Sequence, residues 1–315
     1  MKILFMGTPE FAKISLEYLV KNNFDVVGAV TQTDKPAGRK MILTQSAVKE
    51  YALRENILVY QPRTLKSDEF YELLKNIAPD IIVVVAYGKI LPKNVLEFPK
   101  YGCVNVHASL LPKYRGAAPI NAAIINGEKI TGVTTIYMDE GIDTGDMILK
   151  ESTEIGEDEI FTEIHDRLAH IGGKVLVETL NNIKNGAIKR EKQPETEISY
   201  VGKIDAEICE IDWNMPAEKI HDKIRGLAFS EAAYTWLNGK KLKIFRAAYL
   251  NCSNCLGSSA KNGEVIDIKD KIKVCAGGDS VVLISELQLE GGKRLSAKDF
   301  MNGRKIDKGM VLGER

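Results

Sequence analysis

Asn105 and His107 stand at the end of a β-rich run, Gly102–His107. The period-two alternation of a strand puts both side chains on one face. In a doubly wound sheet, ligands bind in the crevice outside the carboxyl ends of the strands, and His107 lies at such an end. The pair therefore predicts a general acid/base and an amide donor that meet one reacting carbonyl group. The spacing alone also fits a simpler interpretation, in which both side chains satisfy loop backbone groups.

Several other kinds of active site are excluded by their missing motifs. Gly7 stands alone after the first apolar run, so the dinucleotide fingerprint and the phosphate-binding loop are both absent. The nucleophile elbow of serine hydrolases and the H-E-x-x-H zinc motif are absent as well. His165 and His170 are five residues apart, a poor spacing for two ligands on one helical face, and we interpret them as ordinary helix residues.

The cysteines give no sign of a disulfide framework or a metal site. The chain has five, an odd number spread over 315 residues, which favours reduced thiols. Cys252 and Cys255 form a single C-x-x-C pair, with no second pair or nearby histidine to complete a zinc site. We therefore expect no metal.

The elements that must position Asn105 and His107 alternate between short β-rich runs and longer helical patterns. This alternation is typical of βαβ units and predicts an α/β fold with a doubly wound, mostly parallel sheet. A polar loop is predicted over Gln32–Gln45 and a long amphipathic helix over Ile160–Leu180. The predicted strands are Ile3–Met6, Val26–Thr31, Ile57–Tyr60, Asp80–Ala86, Cys103–His107 and Val133–Met138.

The length of the chain predicts two domains. We expect the first over residues 1–189, a basic linker over 190–206 and the second over 207–315. In the last part, the turns Asn238-Gly239, Asn262-Gly263 and Gly277-Gly278 separate several short strands. Many short strands with such turns predict a smaller, OB-like β-barrel.

Charge and hydropathy limit the partners and the location. Basic and acidic residues number 43 each, so any binding to nucleic acid must be local. The longest aliphatic run, Ile81–Ala86, is far too short to cross a bilayer. Gly7–Glu10 interrupts the apolar start before a secretion signal forms. We predict a cytoplasmic monomer without membrane association.

Two segments carry a resemblance to a known family. The first reads N-x-H-x-S-L-L-P-x-Y-R-G-x-x-P over Asn105–Pro119, and the second reads M-x-x-G-I-D-T-G-D over Met138–Asp146. Together they resemble the 10-formyltetrahydrofolate-dependent formyltransferases. Further segments, among them Asp34–Arg39 and Ser296–Gly303, resemble the methionyl-tRNA formyltransferases within that family.

The resemblance implies transfer of a formyl group from 10-formyltetrahydrofolate to the α-amine of methionine on initiator tRNA. It implies Asn105, His107 and Asp143 as the catalytic residues. Asn105 would donate an amide N–H to the oxyanion of the intermediate, and protonated His107 would add a second donor. Asp143 would favour that positive charge and relay protons.

The resemblance also implies a folate pocket with apolar walls and backbone donors for the flat pterin ring. Leu110 and Leu111 fit a core role equally well, because aliphatic pairs after a strand usually pack. The implied folate-binding residues are Tyr87, Gly88, Ile90, Leu91, Ser109, Leu110, Leu111 and Pro112.

Contacts to tRNA are implied for the polar loop, the linker and the second domain. Taken singly, each of these basic side chains also fits a solvated surface residue. Two other functions remain open: a formyltransferase for a 4-amino sugar nucleotide, and a tRNA-binding protein without catalysis. The implied tRNA-binding residues are Arg39, Lys40, Lys189, Arg190, Lys240, Lys241 and Lys243.

Overall fold

The structure, a computed structural model, describes residues 1–37, 41–229, 232–251, 260–303 and 306–314. Within these ranges the helices are α1 (Glu10–Lys21), α2 (Ala47–Arg54), α3 (Asp68–Ile77), α4 (Lys93–Leu96), α5 (Pro119–Ile125), α6 (Phe161–Lys184), α7 (Ala206–Cys209), α8 (Ala217–Gly226) and α9 (Ala297–Asn302). None of these helices combines the length and the apolar composition needed to span a bilayer.

The strands, over the same residues, are short in the first half and include two long ones near the end. They are β1 (Lys2–Gly7), β2 (Asp25–Val30), β3 (Lys35–Ala37), β4 (Ile42–Thr44), β5 (Val59–Tyr60), β6 (Ile81–Val85), β7 (Cys103–His107), β8 (Arg115–Gly116), β9 (Ile130–Tyr137), β10 (Met147–Glu154), β11 (Tyr200–Val201), β12 (Ala233–Leu237), β13 (Lys240–Asn251), β14 (Val265–Asp267), β15 (Ile272–Ala276), β16 (Ser280–Leu289) and β17 (Leu295–Ser296).

The first sheet has, in the described part of the chain, seven strands in the order β10-β9-β7-β6-β1-β2-β5. The pairs from β7 through β6, β1 and β2 to β5 are parallel, and β9 runs antiparallel to β7. The carboxyl ends of the parallel strands therefore lie at one edge of the sheet, where β7 ends with His107. The predicted α/β class with a mostly parallel sheet is confirmed.

The central strands are buried because the sheet is covered on both faces. Every residue of β6 and β7 is buried, and so is every residue of β1 after Lys2. Strands buried on both faces appear in a sequence as nearly continuous apolar runs. This is why β1 and β6 are found where the sequence predicts them, whereas β7 is predicted from the alternation of Val104 and Val106 with Asn105 and His107.

The structure differs from the predicted pattern in two places. Residues 32–45, predicted as a polar loop, contain β3 and β4, which pair antiparallel. Each has three residues, which is too short for an alternation to be recognised. The sequence pattern also predicts no strand where β10 lies. Residues Lys150–Glu154 of this strand are all polar, and most of them are exposed.

Backbone contacts divide the chain into two compact units. The first comprises Met1–Gly116, Thr131–Thr153 and His165–Tyr200, and the second comprises Ala117–Ile130, Glu154–Ile164 and Val201–Arg315. The second unit holds an antiparallel sheet with the path β12-β13-β16-β15-β14, and β17 pairs with β16. A second, mainly antiparallel β domain is thereby confirmed.

A buried ion pair on α8 is important for the stability of the second unit. Arg225 Nη2 lies 2.7 Å from Asp222 Oδ1, and the two side chains are 3% and 6% exposed. Arg225 Nη1 also donates to the carbonyl oxygens of Gly156 and Glu159. The guanidinium group thus joins α8 to a loop of the same unit.

Asp222→Ala should lower the melting temperature by several degrees. The variant leaves the guanidinium group buried without its carboxylate, and removing one partner of a buried pair costs about 3–5 kcal/mol. Glu72→Ala is the control, because the Lys75–Glu72 pair is exposed and such pairs contribute little. Calorimetry on both variants checks the prediction, and equal melting temperatures would contradict it.

Candidate active site

Asn105 and His107 lie on the same face of β7, and both side chains are buried. His107 Nε2 is 2.9 Å from the carbonyl oxygen of Tyr114. Because a carbonyl oxygen only accepts hydrogen bonds, Nε2 carries the hydrogen in this contact. Nδ1 is therefore the ring atom left for exchange of a proton.

Asp143 comes to this face from the loop between β9 and β10. Its Oδ1 accepts a hydrogen bond from Asn105 Nδ2 at 3.1 Å, and its Oδ2 accepts one from the backbone N–H of Gly116 at 2.9 Å. Asp143 Oδ2 also lies 3.5 Å from His107 Nδ1. The structure thus brings the three sequence-predicted residues into one cluster, with the carboxylate between the amide and the imidazole.

The cluster can hold a positive charge on the imidazole ring. With Nε2 protonated toward Tyr114, a second proton on Nδ1 would face the carboxylate of Asp143. Asp143 Oδ2 is therefore placed to accept a hydrogen bond from that second proton. The arrangement can therefore supply an amide donor, an imidazole that gains or loses a proton, and a carboxylate that stabilises the imidazolium form.

The loop that carries Asp143 is held in a backbone conformation that few residues adopt. Asp143 has a φ of 54°, in the left-handed region, which is uncommon for residues other than glycine. Gln193 Nε2 donates to the carbonyl oxygens of Asp143 and Gly145, at 2.7 and 2.9 Å. Gln193 Oε1 in turn accepts from Arg115 Nε and Nη2, at 3.1 and 2.8 Å. Gln193 thus joins the loop to Arg115 beside the cluster.

Gln193 is a residue that the sequence interpretation missed. It lies between Lys192 and Pro194 in the predicted linker, where no periodicity or motif marks it. Its hydrogen-bond partners lie between 48 and 78 residues away in the sequence, and no local pattern predicts contacts over such separations. The sequence carries only an indirect sign of Gln193: Arg115, its partner, belongs to the Y-R-G part of the first motif, and it is buried in the structure.

Gln193→Ala should lower kcat for the reaction of this site by about 10-fold, because displacing a catalytic group by a fraction of an ångström is costly. The KM values for both substrates should change little, since the hydrogen bonds of the Gln193 side chain in the described part of the chain go to the loop of Asp143 and to Arg115. Steady-state kinetics checks this prediction. Gln193→Glu is the matched variant: it keeps an acceptor for Arg115 and loses the donor to the loop. A normal kcat in both variants would contradict the positioning role.

The first group of predicted folate residues divides between the core and the surface. Tyr87 and Leu91 are buried in the core of the first unit, whereas Ile90 is 78% exposed. Burial raises the pKa of Tyr87 to about 12, so its hydroxyl is neutral. Gly88 has a φ of 81°, and a Cβ there would meet the side-chain amide of Gln32. This segment therefore offers backbone groups and the Ile90 side chain to a ligand.

The second group follows β7 directly. Ser109 is fully buried and donates to the carbonyl oxygen of Lys113. Leu111 packs in a small apolar cluster, its N–H donates to Thr134 Oγ1, and its carbonyl oxygen accepts from Lys150. Pro112 is buried, and Leu110 is only partly buried. Leu110 is thus the member of this group whose side chain remains partly accessible.

The predicted tRNA residues of the first unit lie at its surface. Lys189 and Arg190 are both exposed, and the Arg190 guanidinium lies 3.8 Å from the centre of the Tyr137 ring. Arg39 and Lys40 lie outside the described residues.

In the second unit, basic and aromatic side chains share one face of the sheet. The register pairs Lys241 with Trp236 and Lys243 with Tyr234, so these four side chains point to the same side. Lys241 Nζ lies 3.9 Å from the centre of the Tyr234 ring. Lys240 is exposed at the start of β13.

Within the described ranges, no three His, Cys, Asp or Glu side chains are grouped so as to hold a metal ion. Cys103 is buried, which raises the pKa of its thiol to about 12. Cys252 and Cys255 belong to the part of the chain that the structure does not describe.

Comparison with known families identifies the chain. Residues 1–180 match the family described as Formyl transferase, and residues 203–305 match Formyl transferase, C-terminal domain. The chain belongs to the formyl transferase family. Asn105, His107 and Asp143 all lie within the first of the two formyl transferase segments.

Individual relatives resemble the chain over its whole length. It is 46% identical to the methionyl-tRNA formyltransferase of Alkaliphilus oremlandii, with 100% of both chains covered. It is 47% identical to that of Caldanaerobacter subterraneus subsp. tengcongensis, covering 99% of this chain and 100% of the relative. Among solved structures, the sugar 3N-formyl transferase WlaRD, determined with dTDP and 5-N-formyl-THF, has a TM-score of 0.68 at 21% identity, covering 93% of this chain and 99% of that one. This last formyl transferase shares the fold.

Proposed function

We propose that this chain transfers the formyl group of 10-formyltetrahydrofolate to the α-amine of methionyl initiator tRNA. The observation that carries the proposal is the cluster of Asn105, His107 and Asp143 in a chain that is 43–47% identical over its length to methionyl-tRNA formyltransferases. The cluster offers the groups that formyl transfer to an amine requires. The close relatives favour a charged tRNA as the acceptor.

In the proposed reaction, the neutral α-amine attacks the formyl carbon and forms a C–N bond. The carbonyl oxygen becomes an oxyanion, which Asn105 Nδ2 and protonated His107 stabilise as hydrogen-bond donors. The attacking nitrogen loses a proton. The bond between the formyl carbon and N10 of the folate breaks, and N10 gains a proton. Asp143 holds the charge on His107 and relays the proton.

Folate binding is assigned to the segments that follow β6 and β7. The proposal places the pterin ring against Tyr87, Gly88, Ile90 and Leu91 on one side and Ser109–Pro112 on the other. The exposed Ile90 and the partly buried Leu110 would supply apolar contacts, and the buried members would hold the backbone in place. A formyl transferase of the same fold whose structure was determined in the presence of 5-N-formyl-THF supports a folate as the formyl donor.

Binding of tRNA is assigned to Arg39 and Lys40 and to basic residues of both units, of which Lys189, Arg190 and Lys240 are exposed and Lys241 and Lys243 are partly buried. We propose that residues 1–189 carry catalysis, that 207–315 contribute to tRNA binding and that 190–206 link them. The extents of the two family matches support this division. The three catalytic groups come from one chain, which supports a monomer as the active form. We also propose a cytoplasmic location, since the proposed substrate takes part in translation.

The affinity for tRNA should fall steeply as salt is raised. Each phosphate neutralised by a lysine or arginine releases counterions, so the logarithm of the binding constant should fall linearly with the logarithm of salt concentration. Lys241→Met and Lys243→Met should each reduce that slope by about 1 if the lysine contacts a phosphate. Titrations at several salt concentrations check this, with exposed Lys66→Met as the control. An unchanged slope would remove these lysines from the tRNA surface.

Transfer of labelled formyl groups to charged tRNA tests the function. We expect rapid product formation with methionyl initiator tRNA and at least about 10-fold slower formation with methionyl elongator tRNA. A 4-amino sugar nucleotide is the second acceptor in the same assay. Product from the sugar nucleotide and none from either tRNA would contradict the proposal.

A further inference from the structure

A short backbone segment, Tyr114–Gly116, contacts two of the three candidate catalytic side chains. The carbonyl oxygen of Tyr114 accepts the Nε2–H of His107 at 2.9 Å. The backbone N–H of Gly116 donates to Asp143 Oδ2, also at 2.9 Å. A shift of this segment would therefore move the partners of both the imidazole and the carboxylate.

Ser199 holds the same segment through two hydrogen bonds. Its hydroxyl oxygen accepts a hydrogen bond from the backbone N–H of Tyr114 at 2.8 Å. Its carbonyl oxygen accepts one from the backbone N–H of Arg115 at 2.9 Å. Ser199 belongs to the predicted linker and stands 85 residues after Tyr114 in the sequence. One residue of that linker thus fixes the backbone next to both His107 and Asp143.

Tyr114 has a backbone conformation that needs such support. Its φ is 61°, in the left-handed region, which is unfavourable for a bulky residue. Conformations of this kind persist where the surrounding structure holds them. Tyr114 is buried, its N–H is bound by Ser199 and its carbonyl oxygen by His107. Removing the Ser199 hydroxyl would take the acceptor away from this buried N–H and favour a turn of the Tyr114 backbone.

The direction of the Tyr114 carbonyl decides which nitrogen of the neutral His107 ring carries the hydrogen. While the carbonyl oxygen faces Nε2, the hydrogen is held there, and Nδ1 can take up a proton beside Asp143. If the carbonyl turned away, the hydrogen would be held better on Nδ1, toward the carboxylate of Asp143. A neutral ring with its hydrogen on Nδ1 cannot accept a proton at that atom.

We propose that Ser199 is a positioning residue of this active site, which sets the tautomer of His107 through the backbone of Tyr114. This assignment rests on the proposed function, because it takes His107 as the group that exchanges the proton. The predicted linker thereby contributes to the active site itself. Ser109 Oγ also donates to the carbonyl oxygen of Lys113, beside Tyr114. Loss of the Ser199 hydroxyl should therefore weaken catalysis without abolishing it.

Ser199→Ala should lower kcat for formylation by about 10-fold, because His107 spends most of its time in the wrong tautomer. The KM values for folate and tRNA should stay nearly unchanged. Ser199→Thr keeps the hydroxyl oxygen and should keep the original kcat. Ser67→Ala is the matched control, since the partly buried Ser67 hydroxyl likewise accepts from a backbone N–H, that of Phe70. The control should retain normal activity.

Combining Ser199→Ala with His107→Ala tests whether Ser199 acts through the imidazole ring. Ser199→Ala removes only the hydroxyl, so the hydrogen bond from Arg115 N–H to the carbonyl oxygen of residue 199 can remain. The double variant should be no slower than His107→Ala alone, because the group that Ser199 orients is already absent.

Nitrogen-15 NMR of the histidine rings gives a readout that does not depend on activity. The chain has four histidines, and the spectrum of His107→Ala assigns the signals of His107. Above the pH at which this ring loses its charge, we expect the hydrogen on Nε2 in the unmodified chain and in Ser199→Thr. In Ser199→Ala we expect it mainly on Nδ1.

The outcomes separate this assignment from the proposed function. An unchanged His107 tautomer in a folded Ser199→Ala variant, or losses that multiply in the double variant, would overturn the positioning role. Ser199→Cys, whose sulfur is a weaker acceptor than oxygen, repeats both measurements if Ser199→Ala does not fold. Failure of the unmodified chain to formylate methionyl-tRNA would instead overturn the proposed function, while the NMR measurement would still test the link from Ser199 to His107.

Discussion

Replacing Asn105, His107 or Asp143 by alanine should lower kcat for formyl transfer by at least about 10²-fold, with the fold retained. Loss of Asn105 removes the amide donor beside Asp143, and loss of His107 removes the proton carrier at the end of β7. Loss of Asp143 removes the carboxylate that accepts from Asn105 and Gly116. All three residues act on the same intermediate, so their effects on the activation free energy should not be additive when the substitutions are combined.

Single-turnover formylation at saturating folate and tRNA measures this effect without the product-release step. Asn105→Asp and Asp143→Asn are the matched variants, since they keep the size of each side chain while changing its donor or its charge. His170→Ala, on exposed α6 surface, is the control and should keep normal activity. A folded His107→Ala variant with a normal rate would remove His107 from the mechanism.

Gly145→Ala should lower kcat by about 10²-fold or more, although the residue has no reactive group. A Cβ at Gly145 would overlap the carbonyl oxygen of Tyr137. Tyr137 is also bound to this loop, because its N–H donates to the carbonyl oxygen of Asp146 at 2.9 Å. The loop must open to admit the methyl group, and Asp143 moves with it. A displacement of about 1 Å at a catalytic group costs about 10²-fold in rate.

Gly202→Ala is the matched control for this substitution, because a Cβ there meets nothing within 4 Å. Activity and melting temperature should be measured together for both variants. We expect Gly145→Ala to lose activity while most of its stability remains, since the loop lies at the sheet edge between β9 and β10. Equal activity of the two variants would show that the close packing at Gly145 does not position Asp143.

The sequence predicts the parts of the site that depend on local patterns. β7 ends at His107 as expected, because Val104 and Val106 alternate with Asn105 and His107, and this alternation fixes which side chains share a face. The arrival of Asp143 beside that strand was implied by the resemblance alone. No periodicity links residues 105 and 143, and their contact depends on β9 folding back antiparallel to β7.

Other features could not be predicted from the sequence, for related reasons. Gln193 reaches the loop of Asp143 from a segment without regular structure. Ser199 reaches Tyr114 from the same segment, 85 residues farther along the chain. Such contacts between distant segments are decided by tertiary packing, which leaves no spacing in the sequence. The predicted roles of the catalytic, folate and tRNA residues stay predictions until they are tested.

The central claim is that Asn105, His107 and Asp143 surround one electrophilic carbon. A crystal structure of the chain with a stable 10-formyl folate analogue tests it most directly. We predict the formyl oxygen at about 3 Å from Asn105 Nδ2, with the formyl carbon facing His107 and the pterin ring beside Gly88 and Leu110. A formyl group beyond hydrogen-bond distance of both Asn105 and His107 would contradict the account.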